Sequence, residues 1–195
     1  VSGARTAIGD YGGSLKDIPP TELGARVVRE AVARSKVDAA QIGQCVFGNV
    51  IHTEARDMYL SRVVAVNGGL PHESGALTVN RLCGSGLQAI VSAAQYIMLG
   101  DIDAAVGGGA ESMSRAAYAN PSQRWGARMG DAKVVDMMVG ALTDPFDTIH
   151  MGITAETVAT ICGIPPDPTH AFAGESHPRA VSATSAGRRS RPTLA

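Results

Sequence analysis

Residues 86–99 run Gly-Leu-Gln-Ala-Ile-Val-Ser-Ala-Ala-Gln-Tyr-Ile-Met-Leu, with no charged side chain. Such a stretch reads as a helix apolar on most of its sides, and therefore buried on most of its sides. Ala76-Leu77-Thr78-Val79-Asn80 before it and Ala104-Ala105-Val106-Gly107 after it have strand composition. Strand, helix and strand with tight connections imply a parallel pair joined by a right-handed crossover. The expected fold class is thus α/β.

Composition supports close packing in such a fold. Apolar residues make up 45% of the 195 positions and aromatics only 4%, while glycine occurs 23 times. Small side chains must do much of the packing, which favours helix on sheet over an aromatic-rich sandwich. Upstream, Pro19-Pro20-Thr21-Glu22 starts a helix expected over 21–35, with Leu23, Val27, Val28, Ala31 and Val32 at helical spacing. Residues 45–50 read as a short buried strand and 57–66 as a second helix, stopped by Gly68-Gly69-Leu70-Pro71.

From 115 to 148 Asn120-Pro121, Trp125-Gly126, Met129-Gly130 and Asp144-Pro145 break any long periodicity. A loose stretch of that length is more often a functional excursion than a connector. A helix opens at His150. Beyond Ile161, Pro165, Pro166, Pro168 and Pro178 interrupt the helical pattern, and Gly187-Arg188-Arg189-Ser190-Arg191-Pro192 is a polar basic tail. That end is expected to be poorly ordered. The chain is read in three parts: 1–114 as the first part of a domain, 115–160 as the excursion and its helix, and 161–195 as the tail. It opens at Val1 in what reads as the end of a strand, so further residues are expected upstream.

A formal net charge of −1 gives no pull toward nucleic acid or an anionic membrane, and the arginines at 188–191 make a weak footprint. No apolar run reaches 18 residues and no signal segment stands at the amino end. Neither nucleic acid nor membrane is an expected partner. Cys45, Cys83 and Cys162 lie far apart and form no CxxC pair, so no metal site is expected and a reducing, cytoplasmic setting is the simpler reading.

The segment richest in chemistry is Asn80-Arg81-Leu82-Cys83-Gly84-Ser85-Gly86, where a cysteine stands between a strand and the first turn of the apolar helix. A helix N-terminus offers unpaired N–H groups and roughly half a positive charge, which favour a thiolate beside it. Gly84 and Gly86 clear space for a carbonyl substrate and let backbone N–H groups meet its developing oxyanion. This is a nucleophile elbow with cysteine as the nucleophile. Two other readings use the same letters. Free cysteine is often a small buried residue, the reading kept for Cys45 and Cys162. And Gly84-Ser85-Gly86-Leu87-Gln88-Ala89 fits G-x-G-x-x-A, with Glu111 where a ribose-binding acid of an NAD-binding half-domain would stand. Against the latter, Arg81-Leu82-Cys83 intervenes between strand and first glycine.

Asn80-Arg81-Leu82-Cys83-Gly84-Ser85-Gly86 resembles the acyl-enzyme signature N-x-x-C-x-S-G of the thiolases. Arg5-Thr6-Ala7-Ile8-Gly9 with Gly12-Gly13, the block from Gly107 to Ser114, and His150-Met151-Gly152-Ile153-Thr154-Ala155-Glu156 resemble three further thiolase blocks in the same order. The likeness covers roughly residues 1–160 and is to the bacterial acetoacetyl-CoA and broader 3-ketoacyl-CoA thiolases.

The resemblance implies a thiolase-like layered fold, a mixed, mostly parallel sheet with a buried central helix, of which this chain is the N-terminal half. It implies an acetyl-CoA C-acyltransferase that forms or cleaves 3-ketoacyl-CoA through an acyl-cysteine at Cys83, in fatty acid, ketone or polyhydroxyalkanoate metabolism. Acyl-CoA and coenzyme A are substrates and no permanent cofactor is implied; Leu142, His150 and Met151 would lie along the coenzyme A tail, although His150 could equally be structural. It also implies a homo-oligomer, dimer or tetramer, with residues 77–80 near the dimer interface. The family draws its activating His, its second Cys and an Asn-held water from G-H-P, C-x-G-G-G and N-E-A-F type motifs, and none of these occurs in the 195 residues. His177-Pro178 follows Ser176 in what reads as an ordinary helix of the family and is assigned no role. A non-catalytic acyl-CoA-binding fragment is therefore the alternative, and an apolar face left bare by a missing second half would promote self-association.

Overall fold

The computed structural model describes residues 1–188 and Thr193. Pro20, at the first position of a helix where its missing N–H costs nothing, opens α1 (Pro20–Ser35), which ends where Lys36 turns left-handed at φ 60°. β1 (Ile42–Gly48) follows, starting three residues before the expected strand and ending before Val50. The expected helix over 57–66 divides into a 3-10 turn, Ala55–Tyr59, and α2 (Leu60–Asn67). The side chains of Glu54 and Asp57 cap that turn reciprocally, and this local bonding gives the first turn its tighter geometry.

β2 (Gly75–Val79), α3 (Ser85–Met98) and β3 (Ala104–Gly109) form the predicted crossover unit. Both strands pair in parallel with β1, giving the order β2-β1-β3, with Cys45 opposite Ala76 on one side and Val106 on the other. α3 thus passes over β1. Because neighbouring residues of β1 face opposite ways, they feed two cores. Cys45 and Phe47 pack with Val28 of α1 and Leu60 and Val64 of α2, while Val46 packs with Ala89 and Ala93 of α3. The result is three layers, helices α1 and α2, sheet, and α3.

Glycine sets the spacing of these layers. A Cβ on Gly48 would stand 2.7 Å from the Ser85 carbonyl carbon, and one on Gly107 would stand 3.0 Å from Ile90 Cα. Close seating of α3 on the sheet therefore depends on bare backbone at these two strand positions, as the glycine content led one to expect.

Two expectations are corrected. α3 is not buried on most of its sides: Ser85, Ala89 and Ala93 form its buried stripe, whereas Leu87 is 69% and Met98 84% exposed. The sheet covers one side of the helix, and among the described residues nothing covers the other. The prolines after Ile161 do not break the chain into irregular structure up to Ser185. α5 (Met151–Ile161) is followed by α6 (Pro166–Ser185), in which Pro166 and Pro168 fall in the first turn, where N–H groups lack intrahelical partners anyway, and only Pro178 sits inside. α6 has no buried residue. The rest of the basic tail, residues 189–192, lies outside the described residues.

Between β3 and α5 the elements are short, as the loose pattern predicted: β4 (Tyr118–Ala119) pairs antiparallel with β5 (Val135–Asp136), which leads into α4 (Met137–Ala141). Asp136 caps α4 by accepting from Met138 N at 2.8 Å.

Candidate active site

Cys83 stands immediately before Gly84, the residue that precedes α3, and it is exposed. No side chain caps that helix end; Ser85 N donates back to Leu82 O at 3.0 Å, which leaves the N–H groups of Gly86 and Leu87 as the uncapped donors of the first turn. The turn that presents Cys83 runs from Arg81 to Gly84, closed by Gly84 N donating to Arg81 O at 3.0 Å. Leu82, its first central residue, has φ 48°. A left-handed leucine is strained by about 1–3 kcal/mol and must be held by its surroundings. Asn80 Oδ1 accepts from Leu82 N at 3.0 Å, and Ser85 Oγ accepts from Arg81 N at 2.8 Å and donates to Leu82 O at 2.6 Å.

Cys45 has the opposite setting. It is fully buried in β1, and burial pushes its thiol up to about 12, so it is protonated at neutral pH, consistent with the structural role expected of it. The same expectation fails for Cys162, which is exposed directly after α5, beside a helix with no buried residue.

Cys83 opens into a cleft of about 430 Å³, lined also by Val50, Ile51, Glu111, Met113 and Leu142. The wall facing the elbow is made from the segments that follow β1 and β3. Glu111 joins them: its carboxylate accepts from Val50 N at 2.9 Å, Ile51 N at 3.1 Å and Asn49 Nδ2 at 3.0 Å. Asn49 is buried and donates as well to Ala110 O at 3.0 Å. Glu111 keeps part of its surface in solvent, yet burial of the carboxyl raises its pKa above the usual carboxylate range, and the Val50 and Ile51 N–H groups offset part of that rise.

Of the three residues expected on the coenzyme A side, Leu142 lines the cleft with Cys83, while His150 and Met151 stand next to Leu142 rather than in the lining. Thr143 pairs with His150 in an antiparallel bridge, and Met151 N donates to Leu142 O at 2.9 Å. His150 is the N-cap of α5, its Nδ1 accepting from Gly152 N at 3.0 Å, which places the ring proton on Nε2. The capping role is the structural one that the bare sequence left open.

The NAD-binding reading does not survive this geometry. It needs Glu111 free for a ribose, and the carboxylate is taken up by three N–H donors of the chain itself. Sequence reasoning passed over Asn49 and the holding role of Ser85. Asn49 gave no periodic signal, and Ser85 was legible only as a letter of the signature.

An α/β layer with an exposed thiol at a strained strand-to-helix turn, opening on a cleft, has the geometry that nucleophilic chemistry at cysteine requires. The chain belongs to the thiolase family: residues 1–191 match the family described as thiolase, N-terminal domain. The match runs past residue 160, so most of the segment read as a tail still belongs to the family pattern. The chain is 66% identical over 187 residues to the beta-ketothiolase BktB of Cupriavidus necator, covering 96% of this chain and 48% of that protein. It is 45% identical over 189 residues to an acetyl-CoA acetyltransferase of the same organism, again covering 96% of this chain and 48% of the relative. Its fold is similar to that of human mitochondrial 3-ketoacyl-CoA thiolase in complex with CoA, with a TM-score of 0.92 and 35% identity, over 98% of this chain and 49% of that one. The chain thus spans about half the length of the relatives it matches. No helix among the described residues is long and apolar enough to cross a membrane.

Proposed function

We propose that this chain is the acyl-accepting half of a thiolase. The thiolate of Cys83 attacks the carbonyl carbon of an acyl-CoA, coenzyme A leaves as its thiol, and the acyl group remains on Sγ. A second acyl-CoA, deprotonated at its α-carbon, then attacks that thioester to form a carbon–carbon bond and free the cysteine; the reverse sequence is thiolytic cleavage of a 3-ketoacyl-CoA. One observation carries this reading: the sulfur at the mouth of α3 is exposed on a cleft, whereas Cys45 is sealed in the core.

Acyl-CoA is the substrate in this reading, with no resident cofactor. Its pantetheine side runs along Leu142, with His150 and Met151 behind it, which is supported by the backbone bonds that tie these residues into one unit beside the cleft. The nucleophile works with an activating His, a second Cys and an Asn-held water that the family takes from motifs absent from these 195 residues. Effects of that kind contribute about 10²–10⁴-fold each, so this chain alone turns over slowly. A cytoplasmic setting and a homo-oligomer complete the proposal, the former supported by three cysteines that form no disulfide.

Exchange of acetyl groups between acetyl-CoA and isotopically labelled free coenzyme A tests the reading, because it requires the acyl-enzyme to form and revert. Slow exchange that is lost in Cys83→Ser is expected. Coenzyme A binding with no exchange would leave the non-catalytic binding fragment as the better description.

A further inference from the structure

The proposed chemistry makes no use of the Ser85 hydroxyl, yet that hydroxyl is buried and makes two bonds, both to the turn that carries Cys83. Of the two central residues of that turn, Leu82 has positive φ and Cys83 does not. A turn with positive φ at its first central position alone takes glycine there by preference, and the chain has leucine. Something other than local preference must keep this backbone in place. Ser85 Oγ accepts from the N–H of Arg81, just before Leu82, and donates to the carbonyl of Leu82 itself. One hydroxyl therefore clamps the turn across Leu82, from the N–H of the Asn80–Arg81 peptide to the carbonyl that follows Leu82, while Asn80 Oδ1 and Gly84 N hold the peptide between Arg81 and Leu82. The role is distinct from helix capping, since neither partner is an N–H of α3 and the helix has no side-chain cap.

We propose that Ser85 is the positioning residue of the Cys83 thiol: by tying the Arg81 N–H to the Leu82 carbonyl, it spans the left-handed residue and holds the backbone that aims the sulfur out of the turn and into the cleft. The inference deepens the reading of Cys83 as acyl acceptor and takes its functional meaning from it. Its geometry is nevertheless testable without any acyl-CoA.

The readout is the rate of iodoacetamide alkylation at each cysteine of the full 195-residue chain, followed by peptide mass spectrometry. Cys162, exposed and outside the turn, is the internal reference, and Cys45, buried, reports unfolding. Ser85→Ala is expected to slow Cys83 by about tenfold, as misaimed reactive groups do, with Cys162 unchanged and Cys45 unlabelled. Ser85→Thr keeps the hydroxyl and restores the rate. Glycine adopts positive φ without strain, so in a Leu82→Gly background the further change Ser85→Ala should alter the Cys83 rate by no more than about twofold, the coupling expected of two residues serving one backbone conformation. Wild-type reactivity in Ser85→Ala, or an undiminished Ser85→Ala effect in the Leu82→Gly background, overturns the proposal. Should Ser85→Ala unfold and expose Cys45, the comparison of Ser85→Thr with wild type and the pair in the glycine background decide it. Absence of acetyl exchange in the wild type, with these alkylation effects intact, would instead count against the acyl-transfer reading alone.

Discussion

Asn49, one residue beyond β1, donates through Nδ2 to Glu111 Oε1 beyond β3 at 3.0 Å, and so joins the carboxyl ends of two parallel strands beneath the cleft. Ligands of open parallel sheets gather at that end of the strands, and here the wall of the cleft facing Cys83 is built from a carboxylate and the N–H groups it gathers.

Glu111→Gln should therefore disturb the cleft. It places an amide NH₂ among three N–H donors, and leaving one of them unsatisfied costs about 1–3 kcal/mol, measurable by urea denaturation at neutral pH. The pH dependence has a definite sign. The folded pKa of Glu111 is raised by burial above its ordinary value of 4.5. Between those two values the folded chain keeps a proton that the unfolded chain has lost, so stability falls as pH rises through the window. The wild-type advantage over Glu111→Gln should widen as pH is lowered through it. A gap that narrows on acidification would contradict this.

Gly48→Ala tests whether the fold aims the thiol. Its Cβ would stand 2.7 Å from the Ser85 carbonyl carbon and 2.9 Å from Gly86 N, so the start of α3 must move away from β1. A destabilisation of about 1–3 kcal/mol, typical of overpacking, is expected in thermal unfolding, together with slower alkylation of Cys83 and unchanged alkylation of Cys162.

The bare side of α3 should govern association. Leu87 and Met98 are exposed on it, and an apolar face of this kind drives self-association in water. Replacing both with glutamine should change folding stability by no more than about 0.5 kcal/mol, as for surface substitutions generally, while sedimentation velocity shows a shift toward monomer. An unchanged distribution would place the association surface elsewhere.

The order of elements was legible in the sequence because period and punctuation are local. The apolar run after Gly86, the strands on either side and Pro20 at a helix start each carry their own signal. Periodicity alone misread the bare face of α3, since an all-apolar helix looks the same whether its second neighbour is present or not; the resemblance to a family with two packed halves pointed to it. α6 was misread because prolines in a first turn and one within the helix look alike on paper but differ in cost. Within the site, Cys83 was legible from its glycines, whereas the Glu111 junction and the grip of Ser85 on Leu82 depend on bonds between backbone and side chain that no spacing rule encodes.

Incubation of the full chain with acetyl-CoA, followed by proteolysis and mass spectrometry of the three cysteine peptides, tests the central claim most directly. The account predicts one acetyl group, carried as a thioester on the peptide containing Cys83, removable by hydroxylamine and absent from Cys83→Ser. Acetylation of Cys162 at an equal rate, or no thioester on Cys83 in a folded chain that binds coenzyme A, would contradict it.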